Sequence, residues 1–400
     1  MQTPAAASAS ANPNRSTLSL AVFLYGATTG GASRRALTLA SEFAARGHRV
    51  DLVLVNASSP LHGEIDPRIH QVILDGRFAA PRWLRASKRR GLRASIPALA
   101  HYLRTARPDV FMSAANSGHA SAVLAHTLSG STAKLVLRIC THLSGATAGR
   151  TRPPRPMARM AARLLFGRAD LVIAGSDDVA RDIERLSGIA PERIRRIYNP
   201  IVGPDTEART QQPIDHPWFA QGEPPVILSV GRFVAQKDYP TLLRAFARVR
   251  AQRPARLLIL GEARKERRRE RLLEMAEELG VAQDVALPGH VDNPLAYMSR
   301  AAVFALSSSW EGLPGVLIEA LASGCPVVTT DSPGGSAEIV DAGKYGRLVP
   351  TRDPEALAKA LLATLDEPRQ EARQKRRAAD FTVDASAEHY LDALTHVARA

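Results

Sequence analysis

The chain has 400 residues, 45% apolar, 23% charged and 5% aromatic; this is the balance of a globular protein with room for two domains, and it excludes disorder along the whole length. Two cysteines, Cys140 and Cys325, exclude a disulfide framework and predict a reducing compartment. The formal charge of +14 is lopsided, with 28 Lys and Arg against 12 Asp and Glu in residues 1–200, so this half is expected to meet something anionic. Nucleic acid, an anionic membrane face and a plain arginine bias all remain open at this point.

Residues 1–17 are Ala, Ser, Pro and Asn with one Arg, and read as a flexible tail. The apolar run Leu18–Tyr25 is too short to cross a bilayer, which needs ~18–20 residues, and it lacks the charged start of a signal peptide. It reads instead as a buried first strand. Gly30-Gly31 follows, and then a helix over 32–46 with Ala36, Leu37, Leu39, Ala40 and Phe43 on one face, closed by Gly47. Strands are predicted at 50–55, 110–112, 135–139 and 170–174, with helices around 117–127 and 157–166. Short strands that are apolar on both faces, alternating with helices, predict a parallel sheet covered on both sides.

Residues 199–225 hold six prolines and no helical or strand period, and read as a linker. A second series of strands follows at 226–230, 257–260, 285–287, 303–306 and 326–329. The expected organisation is a tail (1–17), a first Rossmann-like domain (18–198), the linker (199–225), a second Rossmann-like domain (226–380) and a C-terminal helix (381–400) returning to the first domain. The fold class is α/β, with two doubly wound sheets facing a central cleft. Ligands of such sheets bind at the carboxyl ends of the strands.

Two loops there carry unusual residues. Gly231-Arg232 follows the first strand of the second series, and Lys237 lies five residues after Arg232. Two cations on a strand-to-helix loop suit a diphosphate, although an exposed surface pair would look the same. The second loop, Ser307 to Ala320, contains Trp310-Glu311-Gly312-Leu313-Pro314-Gly315-Val316 and ends in a helix over 315–322 that carries Glu319. Pro314 suits the first helical turn, and the N–H groups of Leu313, Gly315 and Val316 are expected to face an anion. Glu319 is placed to accept a ribose diol and Glu311 sugar hydroxyls; the plain alternative is a helix-start carboxylate favoured by the macrodipole. His142, after the strand at 135–139, is a further candidate for the cleft.

Gly231-Arg232…Lys237, followed by Glu311-x7-Glu319, resembles the signature of retaining GT-B glycosyltransferases of family 4. Gly324-Cys325-Pro326-Val327-Val328, Asp331-Ser332-Pro333-Gly334-Gly335…Glu338, Asn199-Pro200 and Gly47-His48-Arg49-Val50 fit the same pattern. The resemblance implies a nucleotide-diphosphate sugar held by the second domain and an acceptor held by the first. It implies Arg232 and Lys237 as diphosphate ligands, Glu311 on the donor sugar, Glu319 on the ribose, and Gly30-Gly31 approaching the diphosphate. It also puts His142 near the sugar and implies retention of configuration. Where the family often has Glu-Arg after Gly-Gly-Ala, this chain has Ser33-Arg34.

The chain has no Asp-x-Asp pair and no clustered His and Cys ligands, so no metal and no cofactor beyond the sugar nucleotide are expected. Cations and helix N–H dipoles would then meet the charge on the departing diphosphate. The expected acceptor is a glycan or a lipid-linked sugar, in polysaccharide or lipopolysaccharide synthesis. Residues 82–93 set six cations beside Trp83, Leu84 and Leu92, and with Arg150, Arg152, Arg155, Arg159 and Arg163 they are expected to meet an anionic membrane. A cytoplasmic protein peripheral on the inner membrane face is the expectation. The rival readings are a nucleotide-sugar epimerase of the same fold and a basic nucleic-acid-binding protein. The low aromatic content and the absence of zinc-finger spacing weigh against the latter, so no nucleic acid partner is expected.

Overall fold

In the computed structural model, residues 17–28, 30–56, 61, 63, 65–74, 88–148, 156–263 and 266–400 are described. The tail expected at 1–17 lies outside them except for Thr17. The chain packs as two compact units, Met1–Val136 with Leu391–Ala400, and Leu137–Tyr390.

The first sheet is built from β1 (Ser19–Leu24), β2 (Arg49–Leu54), β3 (His70–Ile73), β4 (Val110–Ser113), β5 (Lys134–Ile139), β6 (Leu171–Ala174) and β7 (Ile194–Arg196), in the order β3-β2-β1-β4-β5-β6-β7. Its helices are α1 (Gly31–Ala45), α2 (Lys88–Ala94), α3 (Ile96–Ala106), α4 (His119–Ser129), α5 (Leu143–Ala148), α6 (Pro156–Phe166) and α7 (Asp177–Ser187). The second sheet runs β10-β9-β8-β11-β12-β13, from β8 (Val226–Val230), β9 (Arg256–Leu260), β10 (Val285–Gly289), β11 (Val303–Leu306), β12 (Val327–Thr330) and β13 (Arg347–Val349). After α8 (Thr206–Thr210) come α9 (Tyr239–Arg250), α10 (Arg267–Glu278), α11 (Pro294–Arg300), α12 (Gly315–Ala322), α13 (Ser336–Ile339), α14 (Pro354–Leu365), α15 (Glu371–Ala378) and α16 (Val383–Arg399). Pairing is parallel, as for β1 on β2 and β8 on β9.

Period-two alternation explains why the second sheet is covered on both sides. Ile227, Leu257, Ile259, Val303 and Ala305 enter one core. Their neighbours Val226, Leu228, Leu258, Leu260, Phe304 and Leu306 enter the other. Each branched or aromatic side chain so buried contributes ~1.5–3 kcal/mol. Cys325 joins the second core, and burial pushes its thiol up to about 12, so it is an inert apolar filler.

Local signals set the helix ends. The Gly47 N–H donates to the Ala44 carbonyl, with Gly47 at φ +84°, and the His48 N–H reaches back to Phe43, which closes α1. Ser176 opens α7 by accepting from the Val179 N–H at 3.3 Å, and Asp177 and Asp178 favour the positive end of its dipole.

The stretch 199–225 differs from the expected irregular linker. It carries α8, and Ile201 enters the core beside Phe381. The backbone of α8 is tied down by Asn293, which donates to the Arg209 carbonyl at 2.8 Å, and by Ser299, which donates to the Thr210 carbonyl at 2.9 Å. These partners lie far along the chain, which is why no local period betrays the helix. Arg138, almost wholly buried on β5, donates to Asn199 at 2.6 Å and to the Tyr390 hydroxyl at 3.1 Å.

Candidate active site

In the second sheet the strand order reverses between β8 and β11, so the loops after these neighbours flank the point where a doubly wound sheet takes its ligand. The loop after β8 begins at Gly231. A Cβ there would lie 2.8 Å from Lys237 Cε and 3.1 Å from the Tyr239 hydroxyl, so glycine lets the lysine stem lie across the turn. Tyr239 donates to the Gly231 carbonyl at 2.9 Å, and burial raises its phenol well above the usual range. The chain then makes a short turn over 235–237, and α9 starts from Asp238 at φ +47°.

Lys237 Nζ lies 2.7 Å from Glu311 Oε1, with both side chains largely withdrawn from water. Ser308 donates to the same oxygen at 2.7 Å, and Gln236 donates to Glu311 Oε2 at 3.0 Å. Three donors therefore hold the carboxylate, and the pair presents little net charge. Removing either partner of so buried a pair strands a charge, at ~3–5 kcal/mol. The two loops are also stitched by backbone: Ser307 donates to the Lys237 carbonyl and the Ser309 N–H donates to the Gln236 carbonyl, both at 2.8 Å.

Glu311 is fixed on both sides through its main chain. Its N–H donates to Pro333, and its carbonyl accepts from the His142 N–H, each at 2.8 Å. The next residue admits no side chain, since a Cβ on Gly312 would sit 2.4 Å from the Cys140 carbonyl oxygen. Gly334, at φ +121°, meets the Glu311 carbonyl with similar closeness, and the Gly335 N–H donates to the Gly312 carbonyl at 2.6 Å. Pro314 is the N-cap of α12 rather than part of its first turn, with extended ψ of 97°. Among the described residues, none accepts from the N–H groups of Leu313, Gly315 or Val316, which leaves these donors for a ligand.

The remaining predicted residues fall as follows. Arg232 is exposed and has no ion pair among the described residues. Glu319 is half-buried on α12. Gly30 caps α1 and Gly31 begins it, in the other unit. His142 is buried with both ring nitrogens engaged: Nδ1 accepts from the Gly145 N–H at 2.9 Å, and Nε2 lies 3.2 Å from Asp178 Oδ2. Nδ1 also lies 3.4 Å from Asp182 Oδ2, so a carboxylate faces each ring nitrogen. Asp178 also accepts from the Gly334 N–H at 2.8 Å, and its carboxyl is lowered to about 2, chiefly by the His142 hydrogen bond. Asp182, fully buried, accepts from the N–H groups of Leu143 and Ser144 and from Arg185.

Sequence reasoning missed Asp178, Asp182 and Gln236, whose partners are remote in the chain, and Ser308, which lies only three residues before its partner Glu311. It also missed Gly261, although its signal was legible: a glycine directly after a strand, as at Gly231. A Cβ on Gly261 would lie 2.1 Å from the Gly231 carbonyl oxygen. Of the basic stretch 82–93, residues 82–87 lie outside the described residues, as do Arg150, Arg152 and Arg155. Leu92, expected at a membrane, is buried at 3% exposure and belongs to the core. No described helix is long and apolar enough to cross a membrane.

Residues 29–202 match the family model for Glycosyltransferase Family 4, and residues 211–381 match that for Glycosyl transferases group 1. A Campylobacter jejuni N-acetylgalactosaminyltransferase acting on a diphospho-undecaprenol is 32% identical over 54% of this chain and 56% of its own length. The lipopolysaccharide core glycosyltransferase LpsE of Rhizobium meliloti is 32% identical over 49% and 54%. The chain thus aligns with little more than half the length of these relatives. Among solved structures, a glycosyltransferase from Rickettsia africae has a TM-score of 0.75 at 17% identity, covering 96% of this chain and 99% of that one. Anabaena HepE, solved with UDP and glucose, has a TM-score of 0.73 at 17% identity over 94% and 99%. These structures share the GT-B fold, and the chain, matched by both models over most of its length, belongs to the group 1 glycosyl transferases of family 4.

Proposed function

We propose that the protein transfers a sugar from a nucleotide-diphosphate sugar to a glycan or lipid-linked acceptor, with retention, in cell-surface polysaccharide or lipopolysaccharide synthesis. The observation that carries this is the buried Lys237–Glu311 pair on the loops flanking the sheet reversal. Bond cleavage to the anomeric carbon leaves the electron pair on the diphosphate, and positive charge must meet it. Lys237, Arg232 and the free N–H groups at the start of α12 supply that charge from the protein, so the reaction is written without a metal. When donor arrives, Lys237 turns its ammonium to the diphosphate. Glu311, still held by Ser308 and Gln236, accepts hydroxyls of the sugar, and Glu319 accepts those of the ribose. The acceptor hydroxyl attacks on the face the diphosphate leaves, and the departing phosphate oxygen takes its proton. His142 serves this site by bracing the Glu311 carbonyl through its N–H, while its ring sits between Asp178 and Asp182.

The diphospho-undecaprenol substrate of one relative and the lipopolysaccharide core biosynthesis of the other support a membrane-bound acceptor here, with the protein peripheral on the cytoplasmic face. A thermal-shift panel of UDP-, GDP- and ADP-sugars tests the donor assignment. One nucleotide sugar is expected to stabilise the wild type and to lose that effect in Lys237→Ala. A wild-type chain indifferent to every nucleotide sugar refutes the reading.

A further inference from the structure

Helix α6 reads Pro-Met-Ala-Arg-Met-Ala-Ala-Arg-Leu-Leu-Phe and contains no acidic residue. Its inner face packs on α7, with Phe166 buried at 3%. Its outer face holds Met157, Met160 and Leu164 at 81%, 56% and 62% exposure. The spacing of three and four residues stacks these side chains into one stripe. Arg159 and Arg163, also exposed, follow its flank one turn apart, and Arg168 lies just beyond the helix. Only Leu124 and Leu128, on α4, are comparably exposed large apolar residues among those described, and α4 carries no Lys or Arg.

We infer that α6 is an interfacial helix that seats the protein on an anionic bilayer, its apolar stripe among the acyl-chain ends and its arginines at the headgroup phosphates. Charge decides the occupant. A second copy docked on this stripe would bring arginine against arginine, with no carboxylate on the helix to relieve them. Three side chains also bury far less than the ~1,200–2,000 Å² of a stable protein interface. A bilayer needs no such area: it takes the apolar stems and meets the cations with phosphate. The inner face of α6 rests on α7, whose N-cap Ser176 and first-turn Asp178 meet the Gly312 and Gly334 loops, so the docking face is one helix removed from the site. This deepens the membrane partner proposed above and rests on that reading of the acceptor. It moves the apolar contact from Leu92, which is core, to α6.

The test is co-sedimentation of the full chain with vesicles of phosphatidylcholine alone or mixed with phosphatidylglycerol. The wild type is expected to bind the mixed vesicles. Arg159→Ala with Arg163→Ala should weaken partitioning about thirtyfold, at roughly fivefold per cation. The surface variant Met157→Ser, Met160→Ser, Leu164→Ser should abolish it, while binding of the stabilising nucleotide sugar stays as in wild type. Unchanged vesicle binding in both variants overturns the inference, as does a dimer that the triple variant turns into a monomer in sedimentation velocity. A wild type that binds nucleotide sugar but neither vesicle sinks the docking alone. One that binds vesicles but no nucleotide sugar sinks the transferase reading alone.

Discussion

The loops after β1 and β8 occupy the same place in their respective sheets, each following the strand at which the order reverses. They are furnished very differently. The first, Tyr25 to Gly31, is lined by small polar groups: Thr28 and Ser33 share a hydrogen bond at 2.9 Å, and Gly30 caps α1 with no side chain. Arg34, in the first turn, is exposed and without an ion pair among the described residues. The second loop is crowded and charged, with the Lys237 stem over Gly231 and its ammonium on Glu311. The shared topology says where a ligand goes; the side chains say which loop handles charge. On the function proposed above, the electrostatic work falls to the β8 loop, while the β1 loop has mainly backbone to offer a ligand.

The sharpest way to break this contrast is Lys237→Ala, expected to lower kcat by ~10²–10³, the usual cost of one transition-state donor. Arg34→Ala should change kcat far less; equal losses in steady-state assays would erase the contrast. Lys237→Ala also strands Glu311, so a drop in thermal stability is expected that the added Glu311→Gln largely reverses while activity stays low. That outcome would separate the pair's structural role from its chemical one.

Next in size is Gly312→Ala. The new methyl meets the Cys140 carbonyl, backbone against backbone, and ~1–3 kcal/mol of stability should be lost in denaturant unfolding. Gly31→Ala is its opposite: no atom lies within 4 Å of the added Cβ, and a helical Gly→Ala change gains ~0.4–1 kcal/mol. Because this variant folds, its donor KM reads function alone. A rise of about tenfold, or ~1.4 kcal/mol, is expected if the donor diphosphate passes over Gly31, and an unchanged KM removes the loop from the donor site.

The inner strands and the Glu311 loop were legible because both are written locally. An apolar run such as Val226–Val230, or Glu311 to Glu319 with its glycines and proline, carries its signal within a dozen residues. Of the four edge strands, the apolar start of β10 was legible, whereas β3, β7 and β13 were not. His70–Ile73, Ile194–Arg196 and Arg347–Val349 are short and carry polar residues, because an edge is covered less than a centre. Arg232 and Lys237 look equivalent in sequence, and only packing separates the exposed cation from the paired one. His142 could be placed at a strand end, but not its commitment to Asp178, which lies thirty-six residues further along the chain.

Asp178 offers the smallest and most specific test. Its carboxylate accepts from His142 and from the Gly334 N–H, and the His142 hydrogen bond leads in lowering its pKa to about 2 from the usual 3.8. A depressed carboxyl binds fewer protons folded than unfolded across that interval, so stability rises with pH there. The contribution is fully present above 3.8 and is lost as pH falls through about 2. The side chain is 37% exposed, so water screens the effect and it stays modest. Asp178→Asn keeps an oxygen for Gly334 but removes the titration. Urea midpoints followed down through this window should therefore fall less steeply for the variant than for the wild type. Parallel slopes would mean that His142 and Asp178 do not share the hydrogen bond in solution, and the brace on the Glu311 loop would have to come from the backbone bonds alone.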